Sequence, residues 1–434
     1  MERTVYYDGE AALKDFGISL PPQMRGVAAA LGWSTKGVNA LTDRSKFEGF
    51  VSPVGTEDPF GLDEVLYDNR FMVEFPQAKV SSAVHGCSFL TVSRGDVQSG
   101  EPGVLILARA AEDSAAIWDR RRRALRGFLS VADVDDQGNA SLLVLYTPDK
   151  VATLTRGVRG WSVEVQKNPL GRVTVAPLPY RAELKRPLGH SRITRASMYY
   201  ADAGLRTIVR AEVSAEFYSA PEYWLFGADV SAFQGTDKWT AVMGRIKALE
   251  YEEGDPKPEL HRFAGASPQP HTDQLRMWQA NFAEDQDLEV KYADSSNPSS
   301  ADAIFAAKET LITVTRDANS AWGQGAVDAA GLAVMLRDGT TSIPPEMRRL
   351  SAQFTDPAVV SPGAQADAFV KRASVIEGFG TSEVGLEMSG LSREQIIRFK
   401  AEMARNLTGT LVERLAASAE AARAADPAVA AVAP

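Results

Sequence analysis

Two stretches of the 434-residue chain bring together side chains that could do chemistry. In "VHGCSF" His85 stands two residues before Cys87, a spacing at which an imidazole could take a proton from a thiol and activate it as a nucleophile. Residues i and i+2 of a strand share one face, but no third group stands ready to orient the histidine. A free cysteine is most often a buried small hydrophobe, so a structural role is expected. In "ADVDDQGNASLLV" Asp133, Asp135, Gln137 and Gly138 follow the order of a calcium loop, yet Val144 stands where the bidentate glutamate belongs. Aspartate and glycine at that density predict a hairpin turn.

Metal and nucleotide chemistry find little else. His190, His261 and His271 are far apart, with no cysteine or acidic ligand at metal spacing, so no metal and no cofactor are expected. GxSxG, HExxH and GxGxxG after a strand are missing, as is GxxxxGK[ST]; "GWSTKG" at 32–37 has its letters out of order. Scattered Asp and Glu show no spacing suited to a metal-dependent nuclease. The chain reads as a non-enzyme.

The densest basic run is "DRRRRALRG", residues 119–127. On the helix expected over "DSAAIWDRRRRALRGFLS" its arginines fan around the circumference, which suits structural or intersubunit ion pairing better than tracking a phosphate backbone. A net charge of −9 points the same way, since phosphate neutralisation needs clustered Lys and Arg on one face.

The composition is that of a folded chain, 44% hydrophobic and 24% charged. Two to three domains are expected from length. The single cysteine allows no internal disulfide. The N-terminus lacks a signal-peptide pattern, and no run of about 18 apolar residues occurs, so folding in a cytoplasm and no membrane span are expected.

Residues 1–75 are mixed, with an amphipathic helix in "PPQMRGVAAALGWSTKGVNALTDR". From 78 to 180 short alternating runs predict strands and hairpins: "SFLTVSRG", "GVLILARA", "ASLLVLYTP", "GWSVEVQKN" and "GRVTVAPLP". A helix over about 192–217 carries Asp202, Arg206 and Arg210 at four-residue steps as one charged stripe. Residues 218–268 are rich in turn formers and aromatics, with short strands such as "WTAVMGRIKAL" but too little core to fold alone. A second helix follows over about 270–284, with Leu275, Trp278 and Phe282 on one face.

"NPSSADAIFAAKETLITVTRDANSAW" then sets a polar loop before a long helix. Ser299 with Asp302, or Ser300 itself, supplies the cap, and Ile304, Ala307, Leu311, Val314, Ala318 and Trp322 form the apolar stripe. A helix running to Leu336 reaches roughly 55 Å, with Gly323 and Gly325 as the expected kink. Beyond Pro344 the chain is expected to be helical, with Ser392 capping against Gln395, and its last ten residues disordered.

"RITRASMYYADAGLRTIVRAEVSAEFYSAPEYWLFG", followed by "SNPSSADAIFAAKE", resembles the portal proteins of tailed bacteriophages, in particular those infecting actinobacteria. "FEGFV", "AVHGCSFLTVSRG" and "GLSREQIIRF" are similar to the same family, so the likeness covers most of the chain. It implies an α+β portal fold: a wing (1–190), a first stem helix (191–217), a small α/β clip (218–268), a second stem helix (269–289), a tunnel loop (290–300), a long spine helix (301–344) and a helical crown with its tail (345–434). The resemblance implies stem residues Arg195, Asp202, Arg206 and Arg210, clip contacts through Trp224, Phe226 and Trp239, and a tunnel loop of Lys291, Tyr292, Asp294, Ser295, Ser296, Asn297, Ser299 and Ser300. Lys291, Asn297, Ser299 and Ser300 would centre the DNA, with Tyr292 as a packing alternative.

By the same resemblance the chain would form a ring, typically of twelve, at one vertex of a virion capsid, assembled in the host cytoplasm. Double-stranded DNA would pass through it without sequence preference. The terminase large subunit, a head–tail adaptor, the major capsid protein and scaffold would be its partners. A head–tail adaptor or capsid protein is the alternative, and a DNA-processing nuclease a more distant one.

Overall fold

The computed structural model describes residues 2–14, 30–53, 58–219, 222–226, 246–248, 259–263, 267, 269–289, 301–358 and 362–425. The fold class is α+β. The chain divides into two units, Met1–Pro357 and Ala358–Pro434.

The first unit is layered. β2 (Cys87–Arg94) is the centre of a three-stranded antiparallel sheet, flanked by β3 (Val104–Ala110) and β9 (Val175–Pro179). One face of β2 presents Ser88, Leu90 and Val92 to α4 (Phe71–His85) and to α7 (Ala301–Asp338); Ser88 Oγ donates to the Ala78 carbonyl at 2.6 Å. Its other face presents Cys87 and Phe89 to a second sheet, where Phe89 meets Phe128 at 4.7 Å. That sheet is a five-stranded meander of β4 (Ser114–Asp119), β5 (Ala124–Val134), β6 (Ala140–Tyr146), β7 (Lys150–Gly157) and β8 (Gly160–Lys167). The five strand runs read from the sequence all lie on these strands.

The helix expected across 113–130 is instead the β4–β5 hairpin. Asp119 Oδ1 accepts from the backbone N–H groups of Arg121 (2.9 Å) and Arg122 (3.0 Å), and Arg123 takes φ +52°, so the arginines build a turn. Leu125 and Phe128 are then buried against the inner sheet. Burial of alternating apolar residues outweighed the helical preference of Arg, Ala and Leu. At the opposite end of β5 the expected turn forms: Asp135 Oδ1 accepts from the N–H groups of Gln137 and Asn139, and Gly138 has φ +79°.

α1 (Glu2–Tyr7), α2 (Trp33–Thr42) and α3 (Leu62–Asp68) surround α4. β1 (Phe47–Val51), the "FEGFV" stretch, pairs antiparallel with β13 (Ser351–Phe354), which departs from the all-helical reading beyond Pro344. The pairing brings Phe47 and Phe354 to 5.6 Å, beside Phe71 and Phe75.

α7 is 38 residues long, about 57 Å at 1.5 Å per residue. Its helix runs unbroken through Gly323 and Gly325, the positions expected to kink it. The glycines serve close packing: a Cβ at Gly325 would lie 2.5 Å from the Pro177 carbonyl oxygen and from Leu178, and one at Gly323 would lie 3.1 Å from Phe354. Trp322 is fully buried and donates through Nε1 to Ser82 Oγ at 2.9 Å. Burying its ring contributes about 3 kcal/mol, enough to anchor the helix to α4.

The second unit holds α8 (Pro362–Val375), α9 (Glu383–Met388) and α10 (Arg393–Ala425). The expected cap starts α10: the Ser392 N–H donates to Gln395 Oε1 at 3.0 Å, and the Gln395 N–H donates to Ser392 Oγ at 3.4 Å. The final residues 426–434 lie outside the described residues.

Candidate functional site

α5 (Arg195–Ser219) and α6 (Gln269–Asp285) form a two-helix arm. The start of α5 meets the end of α6, and at the far end β10 (Glu222–Phe226) pairs with β12 (Glu259–Phe263) and β11 (Ile246–Ala248), so the helices are antiparallel. Trp278 of α6 lies between Tyr199 (6.0 Å, edge-on) and Tyr200 (6.3 Å, stacked) of α5. Phe282 is buried and reaches Trp33 at 5.6 Å, tying the arm to α2.

The root of the arm is a buried guanidinium. Arg192, 3% exposed, donates Nε–H to the Gly37 carbonyl (2.8 Å), Nη1–H to Tyr180 Oη (3.0 Å) and Nη2–H to the Gln286 carbonyl. Asp287, held at φ +52°, lies 3.8 Å from Arg192 and 3.5 Å from Arg181. Gln286 Nε2 donates back to the Arg192 carbonyl at 3.0 Å, and Thr194 Oγ1 donates to Asp285 at 2.8 Å. One side chain thus joins α2, the end of β9 and both arm helices. A planar five-donor fork can satisfy that many acceptors without losing its charge.

The charged stripe expected on the first helix meets the N-terminal segment. Asp202 is buried and accepts from Tyr6 Oη and from Lys14 Nζ, each at 2.8 Å. Arg206 is buried and donates to the Lys14 carbonyl at 3.4 Å. The hydrogen bond to Asp202 raises the Lys14 pKa, while burial raises that of the Tyr6 phenol. The stripe is therefore a seat for the N-terminal segment. Arg195 is exposed at the start of α5 and Arg210 half-buried further along.

Trp224 and Phe226 fall on β10, in register with His261 and Glu259. Trp239 and the loop residues Lys291, Tyr292, Asp294, Ser295, Ser296, Asn297, Ser299 and Ser300 lie outside the described residues.

His85 and Cys87 do not share a strand. His85 ends α4, Gly86 turns at φ +101°, and Cys87 opens β2, because a Cβ at residue 86 would meet the His190 backbone at 2.9 Å. His85 Nε2 faces Glu112 at 3.3 Å, and burial pushes the Cys87 thiol up to about 12. That thiol stays protonated and is no nucleophile at neutral pH. Among the described residues no group of three His, Cys, Asp or Glu is placed to hold a metal ion, and no helix is long and apolar enough to cross a membrane.

Sequence reasoning missed Arg192, Asp287 and Lys79. Their hydrogen-bond and ion-pair partners lie up to 155 residues away in the chain, and no local pattern marks them.

No protein-family model matches the chain. It is 30% identical to the portal protein of Mycobacterium phage D29, over 94% of its own length and 87% of the relative's. The chain belongs to the phage portal protein family. The portal protein of Mycobacterium phage L5 is 28% identical over the same shares. The portal likeness spans the arm, its root and α7, so the elements just described are part of what the relatives share in sequence.

Proposed function

We propose that this portal-family chain closes into a ring, typically of twelve, at one capsid vertex of a virion, and that double-stranded DNA enters and leaves through its centre. The first unit, without the arm, acts as the wing; α5 and α6 are the stem, residues 218–268 the clip, 290–300 the tunnel loop, α7 the spine and the second unit the crown. The terminase large subunit, a head–tail adaptor, the major capsid protein and scaffold are the partners this reading names. It assigns the chain no catalytic step.

The succession of arm, loop and buried helix carries the reading. α7 is held by Trp322 and the small residues Ala326, Ala329, Ala330 and Ala333, all buried, while Arg192 fixes the arm root a few residues before the loop begins. Acidic composition supports weak contact, because a channel that bound phosphates tightly would stall its cargo.

Mass photometry followed by electron-microscopy class averages tests the ring; closed rings with a central hole are expected. Replacing residues 293–298 by a shorter glycine linker is expected to leave rings intact and to impair DNA packaging or retention. Normal phage yield from that variant would remove the tunnel-loop assignment.

A further inference from the structure

The outer face of the β4–β8 sheet is apolar and belongs to neither buried core. The inner face carries Phe128 and Tyr146, packed toward Cys87 and Phe89. The outer face carries Leu143, Leu154 and Val163 as direct cross-strand neighbours, Trp161 and Val165 on either side of Val163 along β8, and Ile117 at the far corner opposite Gly127. On the edge strand β8 the alternation is strict. Trp161, Val163 and Val165 are 45%, 58% and 55% exposed, while Ser162, Glu164 and Gln166 point the other way. A solvent-facing sheet surface is normally polar, and a contiguous apolar one marks a contact surface. The β4–β5 turn, with Arg120 to Arg123 all exposed, rims this face at one end.

A surface of opposite character lies at α3 and α4. Tyr67 is 84% exposed and Met72 and Val73 more than half exposed, among the exposed carboxylates of Asp58, Asp63, Glu64 and Asp68. Arg337 nearby bonds Asp338 and the carbonyls of Phe60 and Gly61 and lies in the field of Asp58 and Glu64, so that with Asp338 five carboxylates stand among Arg70, Arg94 and Arg337 and the corner is net acidic. The layer order runs from the five-stranded sheet through the β2 sheet to α4, whose Phe71, Phe75 and Ala78 point inward. Met72 and Val73 therefore face away from the layers, on the side opposite the apolar sheet face. Two complementary patches pointing in opposite directions are what a head-to-tail contact between copies requires; a single self-complementary patch would instead close a dimer.

We propose that the outer face of the β4–β8 sheet, with its four-arginine turn, docks onto the α3–α4 corner of a second copy of this chain. The contact rests on the ring reading above and names surfaces that would carry it.

Cysteine pairing tests it on the full-length protein, with wild type measured alongside by mass photometry. Cys87 is buried and stays out of the reaction. The doubly substituted chain Val163→Cys, Met72→Cys, treated with a short bis-maleimide, is expected to give a ladder of covalent multimers. Each single variant is expected to stay monomeric on a denaturing gel. A mixture of the two is expected to give dimers only. Covalent dimers from Val163→Cys alone would mean that sheet faces meet each other, and would overturn the head-to-tail contact. Rings that form but do not cross-link would overturn the contact and leave the ring reading standing. A wild-type chain that remains monomeric would overturn both. Arg121→Glu with Arg122→Glu is expected to cut the assembled fraction about tenfold, and Glu64→Arg with Asp68→Arg to restore it. No rescue would remove the proposed charge pairing and with it the orientation of the contact.

Discussion

Lys79 shows how one side chain can set a pH dependence. It is 1% exposed, donates to the Ser45 carbonyl and to Ser45 Oγ, and lies 5.4 to 6.0 Å from the rings of Phe75, Phe354 and Trp322. Among the described residues no carboxylate pairs with it, and burial lowers its pKa from 10.5 to about 8. Between about pH 8 and 10.5 the unfolded chain holds more protons, so this group adds stability as pH rises; below about 8 its full desolvation cost is present. Relative to Lys79→Met, the wild-type chain is expected to gain up to about 3 kcal/mol across that window, read from urea melts at each pH. A constant difference would mean the ammonium is not desolvated. Arg192 poses the reverse case, a buried charge fully supplied with acceptors. Arg192→Lys keeps the charge but cannot span the Gly37, Tyr180 and Gln286 oxygens, and is expected to cost about 3 kcal/mol. Hydrogen exchange at the start of α5 and end of α6 would report the loosened root, and unchanged protection there would discard this role.

At the scale of elements, packing decided against local preference in three places. α4 contains Pro76, which penalises a helix interior, yet the helix forms because Phe71, Phe75, Ala78 and Ser82 line one buried side. The β4–β5 hairpin overrides a run of good helix formers. α7 stays helical through Gly323 and Gly325, where β9 and β13 pass against them. Gly325→Ala is expected to destabilise by about 2 kcal/mol through overpacking against Pro177 and Leu178. Gly323→Ala meets only the Phe354 ring edge and the Ala352 methyl, and its gain in helix propensity of about 1 kcal/mol is expected to offset the contact. Thermal melts of the pair check this, and equal losses would show that both glycines serve flexibility.

The whole molecule consists of two units with separate interiors. The first ends at Pro357, after β13 has paired with β1. A chain ending at Pro357 is expected to retain the hydrogen-exchange protection of α4, β2 and α7. Loss of that protection would mean the second unit contributes to the first unit's stability.

Length, acidity, a lone cysteine and the missing catalytic motifs were enough to turn the reading away from enzymes. Period-2 runs such as "SFLTVSRG" and period-3.6 runs such as the one from Leu311 to Trp322 disclosed β2, β3, β6, β8 and β9 and the long helices, because those periods follow from backbone geometry alone. The long strings shared with portal proteins disclosed the family. What the local sequence could not decide was which polar groups are buried together. Asp202 reads only as one member of a charged stripe until Tyr6 and Lys14 arrive from nearly two hundred residues away. The arginine run reads as a helix until Phe128 finds Phe89. Both outcomes depend on long-range burial, whose free energy exceeds the local propensities that a sequence window can register.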